Sequence, residues 1–289
     1  MSNGSARSSD TWASLLLACS DCEDNRKDQI VTDMAFNRRW MRYEFRRALV
    51  GLKQRVKWFL ALRWYVRDLA TLRRQANEVA TSLTLEPFPQ VHDKTSWTGF
   101  DAHYVYQGPW ALRRILKAPP QRHVDIGSFL GYLGFFSAFV PTTFIDIRPA
   151  GLQIPGLQER TGSVLDLPFE NDELESVSCL HVIEHIGLGR YGDPVNLLGS
   201  AAACRELSRV LAPGGNLYLS LPVGRPRICF NAHRVHSVQQ VLDYCAGLEL
   251  TSLDAVLDGG AWIDDCAPHD LRDEDYALGL FHFVKPARS

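Results

Sequence analysis

The stretch that decides the fold is VDIGSFLGYLG, at residues 124–134. It begins as an apolar β-strand, and its glycines indicate a tight turn that leads into a helix. Glycine is needed there because the backbone bends sharply and a ligand must approach it closely. The G-x-G-x-x-G turn that binds dinucleotides has a middle glycine, but this chain has Phe129 in its place. The turn therefore favours a ligand without a pyrophosphate, such as S-adenosylmethionine, over NAD.

Strand-like runs alternate with helical patterns after the linker that ends at Pro119-Pro120. A short helix is predicted at Pro109–Lys117, before the linker ends. The predicted strands are His123–Ile126, Thr143–Ile147, Val177–Val182, Leu217–Leu221, Leu248–Val256 and Leu278–Val284. Helical segments are expected to separate the first five. Such alternation predicts an α/β domain with a parallel sheet and right-handed crossovers.

Composition excludes several classes of protein. The chain has 289 residues, of which 46% are hydrophobic and 22% charged, which is typical of a globular protein and not of a disordered or fibrous one. No apolar stretch reaches the ~18 residues expected of a transmembrane helix. The seven cysteines are an odd number, which favours reduced thiols and a cytoplasmic location. Cys19 and Cys22 form one C-x-x-C, without the second pair that a zinc site needs.

The sequence divides into a polar tail at 1–25, a basic helical region with its linker at 26–95, and an α/β domain at 96–289. Between Arg26 and Arg74 there are fourteen Lys or Arg and four Asp or Glu. Apolar residues recur there at helical spacing. Two interpretations stay open: peripheral contact with an anionic membrane, or packing of the helices against their own domain or in a homodimer. Nucleic-acid binding is not expected, because no recognised motif follows.

Several residues after the predicted strands suit binding of S-adenosylmethionine. Asp125 precedes the glycine turn, close to where a cationic ligand end would lie. Asp146 ends the second strand, where a carboxylate can accept hydrogen bonds from both ribose hydroxyls. Asp166 lies where an adenine amino group could donate to it. The predicted cofactor-binding residues are Asp125, Gly127, Ser128, Gly131, Asp146, Asp166, Leu167 and His181.

The ordered set of motifs resembles a known superfamily. From about residue 100 to the end, the chain is similar to class I S-adenosylmethionine-dependent methyltransferases. It is most similar to an uncharacterised methyltransferase-like family, through HVIEHIGLGRYGD at residues 181–193 and FNAHRVH at residues 230–236. The resemblance implies a Rossmann-like sheet of seven strands in the order 3-2-1-4-5-7-6, with strand 7 antiparallel. Here that sheet would follow a helical N-terminal extension.

Histidines near the ends of the fourth and fifth strands are candidate bases, because a hydroxyl acceptor must lose its proton during methyl transfer. The predicted catalytic residues are His181, Glu184, His185, Arg190, Tyr191 and His233. Arg190 and Arg234 could pair with a carboxylate or phosphate of the acceptor. The glycine-rich loop 187–193 could close over the site, or be an ordinary solvated turn. Each histidine could alternatively serve only as a structural hydrogen-bonding partner.

The run from His181 to His185 also matches the H-x-x-E-H zinc-peptidase pattern. That pattern needs both histidines on one helical face, whereas this run begins in a strand, so no metal site is predicted. A divalent ion that organises a catechol-like acceptor is a weaker alternative, suggested by a resemblance to ubiquinone-pathway methyltransferases.

The sequence thus predicts methyl transfer from S-adenosylmethionine to a small-molecule or glycan-like acceptor, at oxygen. A non-catalytic methyltransferase-fold scaffold and an NAD-dependent enzyme are the alternatives.

Overall fold

The computed structural model describes residues 56, 58–78, 86–91, 93–148 and 150–287, and the chain divides into two compact units between Thr98 and Gly99. In the first unit, residues 58–78 form a helix, α1. The predicted polar tail at 1–25 and the basic helical pattern between 26 and 55 lie outside the described residues. Along α1, Phe59 and Leu60 are exposed. The membrane and subunit-contact interpretations of this region stay predictions.

Among the described residues, no helix combines the length and the apolar composition that crossing a membrane requires.

The second unit is built on an eight-stranded sheet. Its strands are β1 His123–Ile126, β2 Thr142–Asp146, β3 Leu157–Thr161, β4 Leu174–Leu180, β5 Leu211–Val223, β8 Glu249–Val256, β9 Trp262–Ile263 and β10 Ala277–Val284. They lie in the order β3-β2-β1-β4-β5-β10-β8-β9. Strands β6, Arg227–Cys229, and β7, His233–Val235, form a separate hairpin. β3, β2, β1, β4 and β5 are mutually parallel, and β10 runs antiparallel to both β5 and β8.

Helices cover both faces of this sheet. They are α2 Ala102–Ile115, α3 Leu130–Phe139, α4 Gly199–Val210 and α5 Val238–Tyr244. Buried side chains of α4 and α5 pack with one face, and those of α2 and α3 pack with the other, so the core forms two layers. Two helices have N-terminal caps: Asp101 accepts hydrogen bonds from the first turn of α2, and Ser237 forms a capping box with Gln240 in α5.

This topology confirms the predicted fold, because β10 and β8 occupy the places of strands 7 and 6. The sheet has eight strands and not seven, since the two-residue strand β9 pairs antiparallel with the outer edge of β8. The carboxyl ends of β1, β2 and β4 lie at one edge of the sheet. Loops that leave such an edge of a parallel sheet form ligand sites, and the candidate site lies there.

Two predicted elements differ from the structure. Among the described residues between β2 and β4 there is no helix, because this segment contains three prolines and three glycines; it contains the edge strand β3. The mostly polar residues of β3 gave no apolar strand pattern. Helix α2 begins at Ala102, seven residues before the prediction, since Pro109 lies inside the helix and does not start it.

Candidate functional site

The tight turn after β1 places backbone against the site. Gly127 has φ +65°, a left-handed conformation that favours glycine. Its N–H donates to the carbonyl of Ile145 at 2.8 Å, which joins the turn to β2. A Cβ on Gly127 would lie 3.2 Å from the side chain of Val182 and 3.8 Å from Oδ2 of Asp146. The turn therefore leaves space that a side chain would fill, beside a carboxylate.

Asp125 stabilises this turn from a buried position and does not line the cleft. It is fully buried, and its carboxylate accepts hydrogen bonds from the backbone N–H of Ser128, at 3.1 Å, and from the hydroxyl of Ser178. Burial raises the pKa of Asp125 to about 6, although these hydrogen bonds oppose the shift. Asp125 therefore caps the turn and does not face the ligand, contrary to the prediction. Gly131 lies in the exposed first turn of α3, also outside the cleft.

The cleft consists of two cavities of about 400 Å³ and 410 Å³ that have wall residues in common. The shared residues are Gly127, Asp146, Arg148, His181, His185 and Tyr191. The first cavity also has apolar walls from Ile126, Ile145, Val164 and Leu165, which suit a flat ring. The second continues along Ser128, Phe129 and Tyr104 at the start of α3 and α2. The cleft thus extends from an apolar end to the glycine turn.

Asp146 has one carboxylate oxygen bound to the protein and one directed towards the glycine turn. Oδ1 accepts the backbone N–H of Arg148 at 2.7 Å, and the Nε of the same arginine lies 3.7 Å from it. Oδ2 is the atom that would approach a Cβ on Gly127. Asp146 is the one predicted cofactor-binding acid that lines both cavities.

The structure places Asp166 and Leu167 away from this cleft. Asp166 is exposed, and both residues line a different cavity together with Glu206 and Arg209. The backbone N–H of Leu167 donates to Glu206 at 2.7 Å, so this segment is anchored to α4. Ser163, three residues before Asp166, lines the apolar end of the cleft, where Asp166 was predicted to lie.

A buried carboxylate joins two of the predicted histidines. Glu184 is fully buried in the short 3₁₀-helix Ile183–His185, and its Oε1 accepts from Nδ1 of His181 at 2.5 Å. Nε2 of His185 lies 3.7 Å from the same oxygen. Burial by itself raises the pKa of Glu184, but the two neighbouring histidines lower it further than burial raises it. Glu184 is therefore ionised and presents a negative charge beside the cleft.

His181 cannot act directly on an acceptor in this arrangement, because both of its ring nitrogens are bound within the protein. Nδ1 contacts Glu184, and Nε2 lies 2.9 Å from Nδ1 of His103 on α2. The backbone of His181 has φ 61°, which is costly for a residue other than glycine and recurs at functional sites.

His185 has the geometry of a base. Its Nδ1 donates to the carbonyl of Ala232 at 2.7 Å, so the lone pair of the neutral ring is at Nε2, next to Glu184. Burial lowers the pKa of His185 even though Glu184 opposes this shift, and the ring is neutral near pH 7. The Nη1 of Arg190 donates to the same carbonyl at 2.9 Å, which places a guanidinium beside the base.

The glycine-rich loop 187–193 is stabilised by the carboxylate of Asp193, which belongs to the loop. The carboxylate of Asp193 accepts from the N–H groups of Gly187, at 2.5 Å, and Tyr191, at 3.3 Å. Two guanidinium groups lie over the ring of Tyr191, with Cζ of Arg148 at 4.3 Å and Cζ of Arg190 at 5.0 Å from the ring centroid. The loop therefore brings the ring of Tyr191 and the guanidinium of Arg190 to the mouth of the cleft, where Arg148, which follows β2, also lies.

Two further predicted residues, His233 and Arg234, lie on β7 in different environments. His233 is half-buried against the ring of Tyr276, at 4.8 Å, and burial followed by the proximity of His185 lowers its pKa. Arg234 is buried and donates to the carbonyls of Ile186, at 2.5 Å, and Asn196, at 2.9 Å. It fixes the loop and is not free for an acceptor, contrary to the prediction.

Sequence reasoning missed three residues that the fold brings to this site: His103 and Tyr104 on α2, and Arg148 after β2. His103 is 78 residues from its partner His181 along the chain, so no local pattern connects them. The ring of Tyr104 stacks on His181 at 5.4 Å. Arg148 alone had a local signal, since it follows Asp146 by two positions.

No group of three or more metal-binding side chains arranged to hold an ion occurs among the described residues.

One family profile and several solved structures are similar to parts of this chain. The profile of a family described as "Caenorhabditis protein of unknown function, DUF268" matches residues 167–252. This segment contains both stretches on which the resemblance to an uncharacterised family depends. No curated protein matches the chain.

Solved structures with a similar fold include two methyltransferases. The N-methyltransferase NodS from Bradyrhizobium japonicum WM9, in complex with S-adenosyl-L-homocysteine, is 15% identical; the match covers 68% of this chain and 92% of that chain, with a TM-score of 0.46. Geranyl diphosphate C-methyltransferase from Streptomyces coelicolor A3(2) is also 15% identical, with 62% and 76% covered and a TM-score of 0.47. Such remote similarity does not identify a substrate. The strand order itself defines the fold as that of class I methyltransferases.

Proposed function

We propose that this protein is an S-adenosylmethionine-dependent methyltransferase that acts on a hydroxyl group of a small-molecule acceptor. The observation that carries the proposal is the shared cleft: Asp146 and His185 border the same cavities at the carboxyl edge of the sheet. A ribose-binding carboxylate and a neutral imidazole base are what this reaction needs together.

The residues of the cleft fit the cofactor. The space beside Gly127 admits a ligand close to the backbone, and Asp146 Oδ2 is the acceptor that ribose hydroxyls require. The apolar walls Val164 and Leu165 suit the purine ring. Phe129, which also lines the cleft, occupies the position where a dinucleotide turn has glycine, and this favours S-adenosylmethionine over NAD.

The bound cofactor would supply an electrophilic methyl group on a sulfonium. The chain supplies the rest of the chemistry. Nε2 of His185 takes the hydroxyl proton of the acceptor, and the resulting imidazolium is stabilised by ionised Glu184, 3.7 Å away. The same carboxylate gives the cleft wall a negative charge, which favours a cationic ligand over its neutral product.

The acceptor is inferred to carry an anionic group. Arg148 and Arg190 both approach Tyr191 at the cleft mouth, and of the two only Arg148 forms an ion pair with a carboxylate in the part of the chain that the structure describes. Arg190 is exposed and lies 3.3 Å from the ring of His185, so it can hold a carboxylate or phosphate beside the base. A glycan-like acceptor stays a prediction.

Transfer of a labelled methyl group from S-adenosylmethionine to compounds in a small-molecule extract tests the proposal. We expect a labelled product with the native protein, and a loss of about 10²-fold or more in rate for His185→Ala, because general base catalysis contributes ~10²–10⁴-fold. Cofactor affinity of the variant, measured by calorimetry, should stay close to native.

His233→Ala separates the two candidate bases. His233 contacts Tyr276, whereas His185 is the histidine whose Nε2 lies 3.7 Å from Glu184, so the proposal predicts a smaller loss for this variant. Equal rates of methyl transfer for the native protein and for a variant that carries both His185→Ala and His233→Ala would contradict a base role for either residue. Cofactor binding without any labelled product would favour a non-catalytic scaffold.

A further inference from the structure

A chain of hydrogen bonds connects helix α2 to the buried carboxylate behind the base. Nδ1 of His103 lies 2.9 Å from Nε2 of His181, whose Nδ1 lies 2.5 Å from Oε1 of Glu184. His181 lines the cleft, whereas His103 does not.

Aromatic stacking holds both imidazole rings in place. The ring of His103 stacks on Tyr276 at 5.2 Å with an interplanar angle of 9°, and Tyr104 stacks on His181 with an angle of 13°. Asp101 caps α2 by accepting the N–H of His103 at 3.0 Å, which fixes the first turn of the helix. The orientation of His103 is therefore set by the fold independently of any ligand.

The hydrogen bonds between His103, His181 and Glu184 determine which ring nitrogen carries each proton. Ionised Glu184 requires a hydrogen on Nδ1 of His181, and a neutral imidazole that donates at Nδ1 can only accept at Nε2. The donor to that nitrogen is then Nδ1 of His103. Burial and the nearby His181 lower the pKa of His103 to about 4, so His103 is itself neutral near pH 7.

We propose that His103 is a positioning residue for the base, acting through His181 and Glu184. By donating to Nε2 of His181 it occupies the lone pair of that ring and directs the ring's hydrogen at Glu184, so the negative charge of Glu184 stays available to His185. Without this donor, the lone pair at Nε2 is free to take a proton, which places a positive charge beside Glu184. The proposal rests on the proposed function only where it concerns the base; the tautomer of His181 is a property of the protein alone.

The test uses the full chain with nitrogen-15 in its nine histidines, and long-range proton–nitrogen NMR to read each ring's tautomer and titration midpoint. His103→Phe retains a ring that can stack on Tyr276 but removes the donor, and His103→Asn supplies an N–H donor again. The groups that face His185 and can influence its titration are Glu184, His181, His233 and Arg190.

In the native protein we expect His181 protonated at Nδ1 only. In His103→Phe it should become doubly protonated near pH 7, and the midpoint of His185 should fall by more than about half a pH unit, because the charge of Glu184 no longer supports its imidazolium. His103→Asn should recover most of both changes. His282→Phe is the matched control. His282 also stacks on a tyrosine, Tyr218 at 4.9 Å, but it does not belong to the hydrogen bonds that connect His103 to Glu184.

An unchanged His181 tautomer in folded His103→Phe would overturn the proposal. So would a change that His103→Asn does not reverse, since a purely structural role predicts no dependence on the donor. A native protein that fails to bind S-adenosylmethionine would contradict the proposed function while leaving this result interpretable, because the NMR measurement needs no cofactor.

Discussion

Replacing Asp146 with alanine should weaken the binding of S-adenosylmethionine by roughly tenfold to a hundredfold. Oδ1 of Asp146 is occupied by the N–H of Arg148 at 2.7 Å, so Oδ2 is the oxygen available to the ribose. A hydrogen bond to a charged group contributes about 1.5–3 kcal/mol, and 1.4 kcal/mol corresponds to a factor of ten in Kd. Isothermal titration calorimetry measures the change.

Asp166→Ala is the matched control for this prediction. The sequence pattern assigns both acids to the cofactor, whereas the structure places only Asp146 in the cleft. The control should therefore bind S-adenosylmethionine with native affinity. An equal loss in both variants, or a loss in Asp166→Ala alone, would refute the placement of the cofactor beside Gly127.

Two further predictions concern stability. Asp254 is buried and accepts hydrogen bonds from Trp110, at 2.6 Å, and from Arg114. Asp254→Ala should therefore lower the free energy of unfolding, measured by urea titration, by ~3–5 kcal/mol. A change below ~1 kcal/mol would contradict this structural role of Asp254. The pKa of Asp125 is raised to about 6, so its contribution is present at low pH and is lost as pH rises from about 4 through 6. Relative to Asp125→Asn, the native protein should lose up to ~3 kcal/mol over that range, and parallel pH profiles for the two would show that Asp125 titrates normally.

The sheet could be predicted from sequence because most of its strands alternate with helical patterns, and the first strand ends at a glycine turn. His123–Ile126 agrees with the prediction at both ends and is buried along its whole length, although only Val124 and Ile126 are apolar. Strand β3 could not be found in this way, because it is at the edge of the sheet and mostly polar. Its register comes from pairing with β2, which is a tertiary interaction.

The site was predictable where function depends on a local pattern. Asp146, Gly127 and His185 each follow a strand end, and the fold brings them to one cleft. Asp125 has the same local signal, but its carboxylate turns inward to cap the turn. His103 has no local signal, since its role depends on how α2 packs beside the end of β4.

The central claim is that the cleft between Gly127 and Asp146 binds S-adenosylmethionine. Calorimetry of the full chain with S-adenosylmethionine, S-adenosylhomocysteine and NAD, titrated separately, tests it most directly. We expect both sulfur compounds to bind at a single site and to be weakened by Asp146→Ala, with NAD binding much more weakly. Tighter binding of NAD, or binding of S-adenosylmethionine that Asp146→Ala leaves unchanged, would contradict the claim.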